Sequence, residues 1–199
     1  MNSGTYTAVR QSSLVSSASV GAGAGISAVS GGTVKDSVIE GAAHAVSGGF
    51  ISGCSTVSGG YINITLQGSG ADLTINSGGL CVVNSSCSLS SVQVNSGGLC
   101  IVSNGGSVYQ GDLNYGALEL HGVYSNGTVT GGNMVVQSGG TAQGNIQVTS
   151  GGYIHGYGGT IGGQGTISVI GSDANIRIVV GHGGSINNVV VSQGGYISL

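Results

Sequence analysis

Apolar and polar positions along this chain come in short runs that follow a strand period rather than the helical period of about 3.6. Leu99-Cys100-Ile101-Val102-Ser103 is such a run, bounded by Ser96-Gly97-Gly98 before it and Asn104-Gly105-Gly106 after it. Val, Ile, Leu and Thr suit a pleated surface, and the glycines supply the positive φ that tight corners need. The pattern predicts short strands separated by glycine corners and no helix.

These runs repeat on a 19-residue period. Asn76-Ser77-Gly78-Gly79-Leu80 returns one period later as Asn95-Ser96-Gly97-Gly98-Leu99, and again as Asn114-Tyr115-Gly116-Ala117-Leu118; Val57-Ser58-Gly59-Gly60-Tyr61 precedes them in the same frame. A unit of this size is too short for a strand-helix-strand crossover, so each is read as one coil of a β-solenoid whose neighbours bury each other's apolar faces. The predicted fold is all-β, a parallel β-helix of roughly ten glycine-cornered coils, a rod on the order of 50 Å long. Like then stacks on like. Asn76, Asn95 and Asn114 form one column, whose amides can bond along the stack, and Leu80, Leu99 and Leu118 form another. Gly78, Gly97 and Gly116 hold the corners.

Alternation leaves one conflict. Placing Ile62, Cys81 and Cys100 inward carries Ile64, Val83 and Val102 inward too, but the same frame then points Glu119 and His121 at the core. Burying Glu119 without a partner is costly, so it is expected to be exposed on a locally twisted or reversed coil. Elsewhere the spacing stretches beyond one period, from Asn114 to Gln137 and from Gly156 to Gly181, which predicts bulging loops near Tyr124 to Gly131 and Gly163 to Asn175. Val46-Ser47-Gly48-Gly49 and Val57-Ser58-Gly59-Gly60 are instead closer than one period, at the spacing of half a coil. Residues 1–28 lack a clear corner unit and read as a cap or a partly disordered segment; residues 29–199 read as a single solenoid domain.

Composition narrows function by exclusion. The chain has 199 residues with 43 glycines, no proline and nine charged side chains, yet 39% are hydrophobic, so it folds where a polar low-complexity chain would not. Absent proline agrees with unbroken ladders. A net charge of −3, with only Arg10, Lys35 and Arg177 as cations, leaves no basic surface for nucleic acid. No apolar stretch is long enough to span a bilayer as a helix, and the N-terminal stretch, with Arg10 ahead of a run broken by Ser and Gly, does not read as a signal peptide. Cys54, Cys81, Cys87 and Cys100 match no metal spacing; Cys81 and Cys100 should lie one above the other, as stacked core thiols in preference to a disulfide.

Catalytic chemistry is equally sparse. Asp36, Glu40, Asp72, Asp112, Glu119 and Asp173 are scattered, with no two separated by a multiple of the repeat, so the paired carboxylates of glycosidases are not indicated. His44, His121, His155 and His182 are dispersed too. Gly21-Ala22-Gly23-Ala24-Gly25 lacks the lysine of a phosphate loop. The chain is expected to be non-enzymatic and without cofactor or metal. Eight tyrosines against one phenylalanine are read chiefly as covers for coil edges, with stacking on sugars or on another protein as the alternative.

The Asn-Ser-Gly-Gly and Val-Ser-Gly-Gly corners on a 19-residue period, with Val-rich strands between them, resemble the passenger repeats of AIDA-type autotransporter adhesins. The resemblance runs from about Val29 to the C-terminus and is strongest from Val57 to Leu118. It implies a right-handed β-helix displayed outside a bacterial cell and working in adhesion to a cell-surface protein or glycan, or in self-association. It also implies a protein heptosyltransferase as modifying partner, with Ser58, Ser77, Ser96 and Ser138 beside the corners as candidate glycan acceptors; the bland alternative is that each hydroxyl bonds its own turn. The chain departs from the family in showing no translocator barrel and no leader, and in its cysteine content. An end-to-end fibre of stacked rods is the rival reading, and a carbohydrate-active β-helix enzyme the third.

Overall fold

In the computed structural model, which describes residues 4–171, 177–192 and 195–199, the chain is an all-β solenoid of about ten turns with no helix. Every ladder between strands is parallel, as a coil stacked on its own continuation requires. One sheet has 11 strands in the order of the coils, and a second has 15. Residues 4–28 hold the first strands of both: Tyr6–Val9 pairs Gly25–Val29, and Leu14–Ser16 pairs Thr33–Lys35.

Each coil has three sides. The third corner is a single bend within the second sheet, between short strands such as Phe50–Ser52 and Ser55–Thr56, or inside a long one such as Ser69–Ile75. At that bend Asp36, Asp72, Ser91, Gln110 and Asn126 all have positive φ, between 49° and 64°. Small polar side chains tolerate this backbone, and glycine is not required. In the regular coils glycine pairs mark only the other two corners, which is why the repeat pattern reveals two per coil and not three; Gly162-Gly163 is a pair at the third corner, in an enlarged coil.

The Asn-Ser-Gly-Gly and Val-Ser-Gly-Gly motifs are β-turns closed by a bond from the fourth residue's N–H to the first residue's carbonyl, as in Gly98 to Asn95 and Gly60 to Val57. The residue that opens the turn sorts its geometry. After Val29, Val46, Val57, Thr65 and Thr149 both central residues have positive φ; after Asn76, Asn95 and Gln137 only the second does. The two glycines have separate jobs. Gly97 takes φ +74°, while Gly98 lies so close to the coil below that a Cβ would sit 2.5 Å from the Ile75 carbonyl oxygen.

Three expectations are corrected by the register. Leu80 pairs Leu99, but Leu99 pairs Ala117, and Leu118 falls in the buried column of Cys81 and Cys100. The corner Asn114-Tyr115-Gly116 is one residue shorter than its predecessors: Tyr115 takes the positive φ (57°), and Gly116 instead occupies the close-approach position, where a Cβ would meet the Val94 carbonyl oxygen at 2.4 Å. Losing one residue flips the alternation, so Glu119 faces outward as expected of a carboxylate, without any reversal of the coil. Second, no loop bulges near Tyr124: Val123–Thr130 is a strand of the second sheet. The coil from Ala117 to Asn133 is a short one, and Gln137 opens a different corner from Asn114. Third, the bulging loop expected from Gly163 to Asn175 is confined to its start: residues 162–166 form an enlarged corner, and Ile167–Ile170 is a strand; residues 172–176 lie outside the described residues.

The core is a thin column of small and medium side chains, among them Ile62, Ile64, Cys81, Val83, Cys100 and Val102, all fully buried. Its largest member is Tyr124, at 0% exposure. Room for the ring comes from Gly111 and Gly127, which pair with each other on adjacent coils: a Cβ on Gly111 would lie 2.6 Å from the ring, and one on Gly127 would lie 2.5 Å from its hydroxyl. That hydroxyl donates to the Gly111 carbonyl, and burial pushes its pKa far above the ordinary tyrosine value. The polar atom of the deepest ring is thereby satisfied.

Candidate functional site

Glycine-limited corners and a thin, filled core leave function to the three outer sides of the rod. On the first sheet, alternation places Leu80 and Val82, then Leu99 and Ile101, outward and half-buried, with Tyr61 and Asn63 below them, Ala117 and Glu119 directly above, and Asn133 and Val135 one coil further on. The cysteines and valines between them fill the narrow interior, so the bulky leucines line the outside. His121 Nε2 lies 3.0 Å from Glu119 Oε1 at the edge of this side. Further along, His155 stacks on Tyr157 at 3.7 Å between ring centroids and approaches the Tyr153 hydroxyl at 2.9 Å. The second side is rich in hydroxyls, with Ser69, Ser88 and Ser107 in register. Amides and carboxylates occupy the third, where Thr74, Gln93, Asp112 and Thr128 align.

The asparagine column is a hydrogen-bonded ladder. Asn95 Nδ2 donates to Asn76 Oδ1 at 2.9 Å and Asn114 Nδ2 to Asn95 Oδ1 at 3.5 Å, while Asn76 Nδ2 is anchored on the Thr56 carbonyl at 2.9 Å. A second, shorter ladder joins Asn84 Nδ2 to Asn63 Oδ1 at 2.7 Å, and sequence reasoning missed it because its corner, Ser85-Ser86-Cys87, carries no glycine.

Ser58, Ser77 and Ser96 sit at equivalent points of one corner on consecutive coils, roughly 4.8 Å apart along the rod, because the residues three places on, Tyr61, Leu80 and Leu99, are in register. Ser138 does not join them: it precedes Thr141, in register with Val123, and so lies at the opposite corner with Ser30 and Ser47. All four are exposed, and among the described residues none of their hydroxyls bonds its own turn.

All four cysteines are buried and free. Cys81 and Cys100 are in register, and their mutual contact together with burial raises the Cys81 pKa well above that of an ordinary thiol. Burial likewise raises that of Cys54. Burial keeps all four from a thiol reagent such as DTNB, so they should resist it in the native rod and react together on unfolding in urea; rapid native labelling would mean that the core is open. Among the described residues no three His, Cys, Asp or Glu side chains converge as a metal site. Asp112 accepts from the Thr128 backbone N–H at 3.1 Å and hydroxyl at 2.7 Å, a structural use of a carboxylate. No described helix is long and apolar enough to cross a membrane.

No protein-family model matches the chain, and no curated protein matches it. Among solved structures it is similar to the crystal structure of a TibC-catalysed hyper-glycosylated TibA fragment, with 23% identity over 97% of this chain and 91% of that one and a TM-score of 0.63. The shared feature at this identity is the fold.

Proposed function

We propose that this chain is a non-enzymatic segment of an extracellular bacterial surface protein, a stalk whose long sides mediate adhesion or self-association. The observation that carries the reading is the outer side of the first sheet, where Tyr61, Leu80 and Leu99, with Val82 and Ile101 beside them, stack coil on coil as an uncharged, largely apolar strip that ends at Ala117 and Glu119. Such a strip repeats one weak contact many times along a partner rod, and the contacts sum. The resemblance of the corners to AIDA-type passenger repeats agrees with it. Dispersed carboxylates, one of them already engaged by Thr128, favour a binding role over glycan hydrolysis.

Displaying the chain on a bacterial host and following the settling of the cells tests the proposal. Cells carrying the chain should clump or adhere to epithelial monolayers, and Leu99→Lys with Ile101→Lys should abolish clumping while the purified rod stays folded. Display without clumping or adherence would overturn the reading. Dilution separates the rival fibre, since lateral pairs dissociate to single rods whereas end-to-end stacks change length with concentration; reducing-end release from a glycan panel would revive the enzyme.

Glycosylation by a heptosyltransferase at Ser58, Ser77, Ser96 and Ser138 belongs to the same proposal. It is supported by their exposed, unengaged hydroxyls and by the hyper-glycosylated state of the similar TibA fragment. Coexpression with a protein heptosyltransferase should add mass to the intact chain, and Ser58→Ala, Ser77→Ala and Ser96→Ala together should remove most of it. An unchanged mass would exclude the acceptors.

A further inference from the structure

The third corner of the coil does not stay the same size along the rod. Between the positions in register with Val108 and Gly111 it holds two residues, Tyr109 and Gln110; on the next coil, two, Ser125 and Asn126. On the coil after that it holds three, Gln143, Gly144 and Asn145, where the ladder shifts register as a bulge. Between Ile161 and Ile167 it holds five, residues 162–166. The last two of these coils therefore project beyond those before them, and the overhang borders a groove of about 320 Å³. That is at the lower end of small-molecule pockets, roughly 300 to 1,000 Å³. Bulges of this kind re-aim side chains beside functional sites.

The chemistry of the groove is uniform in one respect: none of its lining side chains carries a charge. Tyr109, 55% exposed, offers a ring face at one end, in a column otherwise made of small or polar residues such as Ser90 and Ser125. Asn126 Oδ1 accepts the Asn145 backbone N–H at 2.9 Å, and Asn145 Oδ1 accepts the Thr166 backbone N–H at 3.2 Å. A backbone N–H can only donate, so both amides are held oxygen-inward and keep their NH₂ groups for a ligand. The Gln143 amide lies 3.3 Å from Ser125 Oγ, a hydroxyl that can donate or accept, so its other end is available to a ligand in either role. Gln164 supplies a further amide on the overhanging wall.

We infer that this groove binds a neutral oligosaccharide, with Tyr109 as the stacking platform and the amides of Asn126, Gln143 and Asn145 reading its hydroxyls. Fixed NH₂ donors beside an amide that can turn either end outward suit a polyol, every hydroxyl of which both donates and accepts, and an uncharged lining leaves an acidic sugar or a phosphate without a counter-charge. An aromatic face with an amphipathic body covers the apolar face of a pyranose ring. The groove crosses three coil steps, about 14 Å at the usual strand spacing, which favours a short chain of sugars over a single one. The inference takes its biological setting, but not its chemistry, from the proposed adhesive role.

The test uses the purified full chain and NMR titration with neutral oligosaccharides of glucose, mannose, galactose and N-acetylglucosamine, alongside oligogalacturonate as the acidic probe. Saturable shifts are expected for a neutral probe in the side-chain NH₂ signals of Asn126 and Asn145, with no response to oligogalacturonate. Tyr109→Ala should weaken binding at least about tenfold, Tyr109→Phe should retain it, and Tyr6→Ala, at the far end of the rod, should leave it unchanged. No shift with any neutral probe at millimolar concentration, shifts mapping away from the groove, preference for oligogalacturonate, or full binding by a folded Tyr109→Ala would each overturn the inference. Displayed cells separate it from the adhesin reading: adherence that survives Tyr109→Ala together with absent sugar binding defeats the groove alone, and sugar binding by a chain that never confers adherence defeats the adhesive role alone.

Discussion

Tyr124→Ala is expected to cost about 3–5 kcal/mol of stability, the range for emptying a large aromatic from a packed core, read as a lowered urea midpoint. The ring is the largest fully buried side chain and occupies space that Gly111 and Gly127 leave by having no Cβ. A thin rod, with only a handful of inward side chains per coil, has little material with which to refill that space. Tyr124→Phe keeps the volume and loses the bond to the Gly111 carbonyl, so about 1 kcal/mol is expected. Gly111→Ala should be severely destabilising in the native sequence, because the new methyl meets the ring. In the Tyr124→Ala background it should cost far less, since the obstruction is gone. A double-mutant cycle measures this coupling, and strictly additive losses would show that ring and glycine do not share the space.

The second large effect is placed at one corner, where two adjacent glycines serve different needs. Gly98→Val should lower stability by more than about 3 kcal/mol, among the large single-site effects, because its Cβ would meet the Ile75 and Asn95 carbonyl oxygens at 2.5 and 3.1 Å. Both obstacles are backbone, so relief requires the coils to part. Gly97→Val should cost about 1–3 kcal/mol, the strain of a β-branched residue held at positive φ; its nearest obstacle is the Ser77 hydroxyl, which can turn away. Asp112→Asn keeps an amide oxygen for Thr128 and should change stability by less than about 1 kcal/mol. Thermal melts of the three variants check the order, and equal losses for Gly97→Val and Asp112→Asn would contradict the corner geometry.

Sequence by itself determined the solenoid, its coil length and the stacking of like on like wherever the 19-residue unit is intact. The reason is local: an Asn-Ser-Gly-Gly turn reverses the chain without help from distant residues, and Val- and Ile-rich runs between such turns have only neighbouring coils to pack against. The half-coil spacing from Ser47 to Ser58 was legible for the same reason, since two corners of one coil carry the same turn. Where a corner uses other residues, the sequence loses the thread. Leu66-Gln67-Gly68 and Ser85-Ser86-Cys87 turn the chain without the glycine pair, and the third corner is made by Asp72, Ser91, Gln110 and Asn126, side chains that are equally at home in a strand or a loop.

Register past Asn114 was a tertiary matter. One residue missing at Tyr115-Gly116 costs almost nothing locally, yet it decides which side of every following side chain meets the core; only the ladder to the coil below shows that Leu118, not Glu119, stands over Cys100. Tyr124 looked like part of a loop because nothing in its own segment reveals that Gly111, on the previous coil, leaves it a space. The groove beside Tyr109 is of the same kind. Its amides lie on three different coils, and it exists because one corner lengthens from coil to coil, a relation between residues distant in sequence that no single repeat contains.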